Sequence, residues 1–476
     1  MQPLNDWVKN LSGMNIPVLR KTAQDLQRLR GKQESVTARD LSQIVLRDPL
    51  MTLKVLRFSQ SRLTRRQATE ITTVEHALMM HGLTSFFREI GTLTELEQQL
   101  ATQPEALEGA LRVINRACHA ATNAGNFGAI RHDMDSDEVV TGALLHDLAE
   151  LLLWLAAPAE AKQIEYMIDH QRGLRSVTAQ RACLGFALAD LQLALTKAWN
   201  LPSLLQSLMD DKQANLPRVQ TVALSVAVAR HSAHDWHDPA LPDDYKGLQK
   251  LLNLPADGVL RWVRQSAVQA ARNWRHTGIR PAAAWIPLLP GEWPAEQGTP
   301  KMTGGSEDAA ALHVRVLDQL AQITRGKGDA ELVAAIAFYA FNAGLGLRRL
   351  WFGRLNNNTR KVEPSQALLL DPGLLPGELT FELGSTQLFG RLMGKVQGIW
   401  FGGPVREKLM PLVPEGLRQK FAGRDFFAMS LYVKDQPFGM FYADGGVGAA
   451  QLDEQRYSVF KDLCMAAGKA LERVAI

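Results

Sequence analysis

From residue 1 to about residue 280, apolar side chains recur at intervals of three and four, the spacing of amphipathic helices. Leu41, Ile44 and Val45 share one face behind Thr37-x-x-Asp40, a pattern that predicts a capping box at that helix's start. Asp48-Pro49 ends this helix and opens the next, with proline at the first helical position, where its missing N–H costs nothing. The turns that follow carry Met51, Leu53, Val55, Leu56 and Phe58, apolar most of the way round, as in a buried helix. Thr72-x-x-Glu75 predicts a second capping box, for a helix through Ala77, Leu78 and Met79 that stops at Gly82. Val140, Leu144, Leu148, Leu151 and Leu155 predict the buried face of one further helix.

The pattern breaks at residues 281–308, where five prolines and four glycines remove backbone donors and add chain entropy. This stretch reads as a linker between domains of residues 1–280 and 309–476. Beyond it the texture is mixed. A helix from about Glu331 carries Leu332, Ile336 and Tyr339 and stops near Gly344. LRRLWFGRL reads as a strand ended by Asn356-Asn357-Asn358, and FFAMSLYV joins FGMFYAD through Lys434-Asp435-Gln436-Pro437 as a hairpin. The last helix sets Phe460, Leu463, Ala467 and Leu471 on one stripe. Either the domain's own sheet or a second copy of the chain is expected against that stripe. The small residues Ala466, Ala467, Gly468 and Ala470 would let another helix approach closely, and so favour a homodimer. Helix, antiparallel strands and helix make an α+β domain behind an all-α one.

Length and composition sharpen this. A chain of 476 residues exceeds what one hydrophobic core usually serves. Its net charge of +4 is too weak over this length to imply nucleic acid or a membrane surface as partner. The basic groups at Arg28, Arg30, Lys32 and at Arg62, Arg65, Arg66 lack interleaved aromatics and read as solvated faces. Three separate cysteines suit a reducing cytoplasm and provide no thiolate zinc site. The N-terminus lacks the apolar run of a signal peptide, and the apolar stretch Val139 to Ala157 is broken by His146, Asp147 and Glu150. Gly344-x-Gly346 and Gly445-Gly446 lack the strand and helix context of a phosphate-binding loop and read as a helix stop and a strand exit. His231, His234 and His237, spaced by three, read as a solvated helix end.

The dipeptide His146-Asp147, within TGALLHDLAELLLW, is the one chemically suggestive feature. Both side chains can reach one metal if a neighbouring helix supplies further ligands, and His119 in NRACHAATNAG is suitably placed. IPVLRKTAQDLQRL, DLSQIVLRDPLMTLKVLRFSQS, ITTVEHALMMHGL, GALLHDLAELLLW and LALTKAWNLP occur in the order of the helices of the HDOD family (HD-related output domains). Residues 14 to about 215 resemble that family, with 216–280 as a helical extension. HD phosphohydrolases, its catalytic relatives, hold divalent metal with a His, a His-Asp pair and a distant Asp, and some add further histidines. His119, His146 and Asp147 match the first positions. Ala187 and Leu188 stand where a middle histidine is expected, and Asp210-Asp211 where a His pair is. The segment Val219 to His231, which should carry the last Asp, holds no acidic residue. The resemblance therefore implies a vestigial HD site, with no catalytic residue and no bound metal.

FGMFYAD followed by LDEQRYSVFKDLCMAAGKALERV resembles the closing strand and helix of GAF domains, small sensory or dimerisation modules. No cyclic-nucleotide signature or bilin-placed cysteine is present, so no cofactor and no particular GAF ligand is implied. Trp351, Trp400, Phe426 and Tyr442 are the candidate lining of any pocket. The expected function is a non-catalytic, cytoplasmic, bacterial signal-transduction protein. Its HDOD domain would present a surface to a downstream signalling protein, with the GAF-like domain sensing or dimerising. The alternative is a metal-dependent phosphohydrolase acting on nucleotides or cyclic dinucleotides.

Overall fold

The computed structural model describes residues 2–31, 36–62, 71–89, 93–133, 136–170, 174–272, 274, 277–287, 309–323, 328–369, 380–402, 405–415, 418, 424–446 and 452–474. The chain forms two compact units, one of residues 4–162 and 188–295, the other of residues 163–187 and 296–476 with the first three residues.

The first unit is helical. It begins with α1 (Leu4–Gly13), α2 (Arg20–Arg30), α3 (Ala38–Val45), α4 (Pro49–Arg62), α5 (Val74–His81), α6 (Leu83–Glu89) and α7 (Leu96–Gln99). The long α8 (Pro104–Ile130), α9 (Ser136–Leu144), α10 (Leu148–Ala156) and α11 (Pro158–His170) follow. After α12 (Ser176–Leu184), the chain continues through α13 (Leu188–Ala198), α14 (Ser203–Ser207), α15 (Pro217–His231), α16 (Leu241–Leu252) and α17 (Ala256–Arg272). The Thr37–Asp40 capping box closes α3 as predicted, each side chain bonding the other's backbone N–H. The second box is displaced by one residue, for Thr73 rather than Thr72 caps α5 by accepting from His76 N–H. Gly82 ends α5 at φ 74°, a conformation that penalises a side chain. Asp48, fully buried, caps α4 by accepting from the N–H groups of Leu50 and Met51, at 2.9 and 3.1 Å. Its second oxygen takes the Leu19 N–H at 2.8 Å and so fixes the entry to α2.

Helix α8 is the pillar of this unit. Ala120 and Ala124 pack with Val139 and Ala143 of α9 and with Val219, Val222 and Val226 of α15. Phe127 packs with Val228, Trp236, Leu248, Val259 and Val263, so the predicted extension 216–280 is part of the same body. Gly109 lets α8 approach α10 at Trp154: a Cβ there would lie 2.5 Å from the indole ring. The predicted continuous helix through residues 140–155 is instead α9 and α10, with His146 and Asp147 in the turn between them. One segment, Ser136–Ala156, is apolar enough to cross a membrane by length and composition, and 72% of its most apolar window is buried in the protein.

The second unit comprises α18 (Ala309–Gln322), α19 (Ala330–Tyr339), strands β1 (Arg349–Asn356), β2 (Lys361–Leu369) and β3 (Phe381–Glu382), α20 (Leu388–Leu392), β4 (Gly398–Phe401), α21 (Arg406–Leu409), β5 (Phe426–Val433), β6 (Gln436–Asp444) and α22 (Glu454–Val474). The sheet is antiparallel, in the order β3-β2-β1-β6-β5-β4. Its Phe427 and Phe441 face Phe460 of α22 and Phe338 and Phe341 of the helix before β1. The expected α+β domain with an antiparallel sheet is thus present.

Three expectations are corrected. Residues 163–187 pack with the second unit rather than with the helical one. Gln163 and Gln319 exchange reciprocal buried amide bonds at 3.3 Å, Tyr166 meets Tyr339 edge-on, and α12 lies along α19. The linker starts later than residue 281, because Ala282 is buried and its carbonyl accepts from Trp236 Nε1 at 2.8 Å, while residues 288–308 lie outside the described residues. The stripe Phe460, Leu463, Ala467 and Leu471 is buried within its own unit, each residue 1% exposed or less. It therefore gives no support to a homodimer through α22.

Two outcomes follow from this packing. A fragment of residues 309–476 lacks α12 and the buried glutamine pair, so it should unfold at lower denaturant than the whole chain's second unit and bind a hydrophobic dye, as tryptophan fluorescence and dye binding would report. Gly109→Ala should cost about 1–3 kcal/mol by overpacking against Trp154. Gly13→Ala, where nothing lies within 4 Å, is the control for Gly109→Ala.

Candidate functional site

One face of α8 is polar amid alanines. Glu108, Arg112, Asn115, Arg116 and His119 follow at helical intervals, and all line one cavity. The turn between α9 and α10 delivers His146 and Asp147 to the same region. Asp147 stands at the N-cap position of α10 without capping it, which leaves its carboxylate for other partners.

Those partners are two arginines and a histidine. Arg230 Nη2 donates to Asp147 Oδ1 at 2.9 Å, and His146 Nδ1 lies 2.8 Å from the same oxygen. Arg116 Nη2 lies 3.6 Å from Asp147 Oδ2 and 2.7 Å from Glu150 Oε2. Burial alone would raise the Asp147 pKa, but Arg230, the His146 hydrogen bond and Arg116 together hold it well below the usual carboxylate range. His119 is only 3% exposed, and burial lowers its pKa to about 4, so the imidazole is neutral. Its Nε2 has no hydrogen-bond partner among the described residues.

The three residues predicted as a vestigial HD site are thus His146 and Asp147 in contact and His119 buried on the neighbouring helix. They do not form a ligand set. Among the described residues no group of three His, Cys, Asp or Glu side chains converges as a metal site. At an HD pair a divalent cation would need the Asp147 carboxylate free to coordinate it. Here the one acidic candidate is engaged by two guanidinium groups, and the site does not fit a metal. Arg230 explains the acid-free helix: α15 brings a cation to the turn where a last carboxylate was expected.

The remaining predicted positions disperse. Trp351, Phe426 and Tyr442 are buried in the core under α20, with Phe389 and Met440. Trp400 lies on the opposite face, paired with Phe427 and close to Tyr457 of α22. The four aromatics therefore do not line one pocket. Tyr442 instead donates to Asp444 at 2.7 Å, beside the buried Arg349–Asp444 ion pair of β1 and β6. His231 bonds Asp244 at 2.6 Å and His237 bonds Asp235 at 3.0 Å, while His234 lines the cavity beside His119. Trp236, within that segment, is buried, so this is not a wholly solvated end.

Sequence reasoning missed Arg112, Arg116, Arg230, Arg280 and Trp285. The first two were legible as a polar row at helical spacing on an alanine-rich helix. Trp285 was not, because it enters from a segment whose prolines and glycines read as linker, and Arg280 stands at the border of that segment.

The ion pairs have an acid signature. A carboxylate with depressed pKa stabilises the fold above the unfolded-chain value and loses that contribution as pH falls through the folded one. In Arg230→Ala the pKa of Asp147 rises towards normal, so the variant should be less stable than the parent at neutral pH and should lose less stability as the pH falls. Thermal melts between pH 3 and 7 would show the two curves apart at neutral pH and converging on the acid side.

Residues 16–214 match the family model of the HDOD domain. No curated protein matches the chain. Among solved structures, the MmoQ response regulator from Methylococcus capsulatus is 18% identical, with 53% of this chain and 98% of that one covered at a TM-score of 0.40. An HDOD domain protein of unknown function from Geobacter sulfurreducens is 17% identical over 58% and 98%, at 0.33. The phycoerythrobilin-bound GAF domain of a cyanobacterial phytochrome is 11% identical over 35% and 96%, at 0.26. Residues 16–214 of this chain are an HDOD domain.

Proposed function

We propose that this chain is a non-catalytic regulatory protein of bacterial signal transduction, acting in the cytoplasm. Its HDOD domain presents a surface to a downstream signalling protein, and its C-terminal α+β unit serves as a GAF-like sensory or dimerisation module. The observation that carries the non-catalytic reading is the engagement of Asp147 by Arg230, Arg116 and His146. A hydrolase of this kind needs that carboxylate to hold a metal that activates water. A metal there would have to displace the Arg230 hydrogen bond to Asp147 Oδ1 and the His146 contact to the same oxygen. No nucleic-acid or membrane partner is part of the reading, given the near balance of 53 basic and 49 acidic residues.

The test is metal content and turnover together. Purified protein should retain less than stoichiometric manganese, iron or magnesium after dialysis, and should leave phosphodiesters and nucleotides intact when each metal is added. Hydrolysis that disappears in both His146→Ala and Asp147→Ala would instead establish the metal-dependent phosphohydrolase.

A further inference from the structure

The cavity beside Asp147 is not filled by the ion pairs that close the HD turn. It measures about 340 Å³ and lies between α8, the end of α15 and residues 278–285. That is the low end for small-molecule sites, enough for one ring system with one charged group. Its walls differ in character. Arg112, Asn115, Arg116 and His119 of α8 make one wall, and Arg280 and Trp285 make another.

Three arginines and one carboxylate, Glu108, line the space. Glu108 pairs with Arg112 at 2.8 Å, and Glu150 and Asp147 neutralise part of Arg116 from outside the lining. Arg280 makes no ion pair among the described residues, and its guanidinium lies 5.5 Å from the centre of the Trp285 ring. The lining therefore has cationic character with planar donor groups, suited to oxyanions. His119 adds a second, independent indication. It is a buried imidazole that lines this cavity, and its Nε2 lacks a partner. A buried polar atom left unmade costs about 1–3 kcal/mol, and a ligand oxygen or hydroxyl would satisfy it. Trp285 offers the ring face that a phosphate alone does not need.

We propose that this cavity binds a phosphate monoester of mononucleotide size, its phosphate held by Arg112, Arg116 and Arg280 and its ring against Trp285, with His119 Nε2 bonding the ligand. The site needs no metal and performs no chemistry. It is a sensory pocket of the helical unit, formed by the HDOD domain and the residues that follow it, and in this it rests on the non-catalytic reading. Ligand contact with Arg116 would touch the same guanidinium that holds Asp147 and Glu150, which links occupancy to the turn between α9 and α10.

The experiment is calorimetry on the full chain in excess EDTA with AMP, GMP, adenosine and inorganic phosphate as probes. AMP or GMP should bind at micromolar to submillimolar concentration, and adenosine and phosphate at least tenfold more weakly. Arg280→Ala and Trp285→Leu, both at incompletely buried positions, should each weaken binding about tenfold or more while circular dichroism and melting stay those of the parent. No binding of either nucleotide at millimolar concentration overturns the proposal. So does binding indifferent to both substitutions, or adenosine or phosphate binding as tightly as AMP. Nucleotide binding that appears only with added metal, followed by hydrolysis, would overturn both this proposal and the non-catalytic reading. Failure to bind together with failure to hydrolyse would leave the non-catalytic reading standing.

Discussion

Helix α8 is covered on three sides by α9, α10, α15 and α17, and its fourth side, which lines the cavity, is polar. That division constrains the rest of the helical unit. The covered faces need small residues wherever another helix crosses closely, hence Gly109 under Trp154 and the run of alanines facing α9 and α15. The uncovered face needs polar groups whose hydrogen bonds are made within a confined space. Asn123 shows the requirement in its simplest form: it is fully buried, and its amide donates to the carbonyl of Ser225, which ties α8 to α15 in register. One turn earlier the same row reaches His119, and one further Arg116, where the partners become the HD turn and the cavity. Packing and site chemistry are therefore two faces of one helix, and a shift of α8 along its axis would disturb both.

How much of this was readable in sequence depends on whether the signal was local. The Thr37–Asp40 box and the Asp48-Pro49 junction were read correctly, because capping uses groups three residues apart and needs no tertiary partner. The break at residues 145–147 was not, since Leu144, Leu148 and Leu151 keep helical spacing across a turn when the flanking helices bury the same face. The placement of α12 was not legible either. Ser176–Leu184 has the composition of any amphipathic helix, and nothing in it says that its face meets α19 rather than α8. For α22 the stripe was identified, but its periodicity is the same whether a sheet or a second helix covers it. Phe427 of the sheet and Phe341 now supply the cover for Phe460.

The candidate site divides in the same way. The absence of an acidic residue from Val219 to His231 was visible, and it pointed to a defective metal site. The partner of Asp147 was not visible, because Arg230 sits at a helix end where a basic residue ordinarily serves the helix dipole. Only the fold shows that this end abuts Asp147. The aromatic residues of the second unit carried the opposite error. Alternation along a strand places neighbours on opposite faces, so Trp400 and Phe426 were never able to converge once their strands paired in the observed register.

Arginines at the HD turn do not act as a metal would. A divalent ion would bind water and exchange, whereas a guanidinium donates in a fixed plane and stays attached to its own helix. Arg230 thus couples α15 to the α9–α10 turn through Asp147, while Arg116 couples α8 to α10 through Glu150. The result is an electrostatic brace across the helices that a catalytic relative would leave free to hold ligands. Such a brace has a use only if its geometry matters to something outside it. Arg116 is the residue common to the brace and to the cavity, so any anion entering the cavity competes with Glu150 and Asp147 for that guanidinium. The guanidinium of Arg116 is thus shared between the cavity and the ion pairs that join these helices.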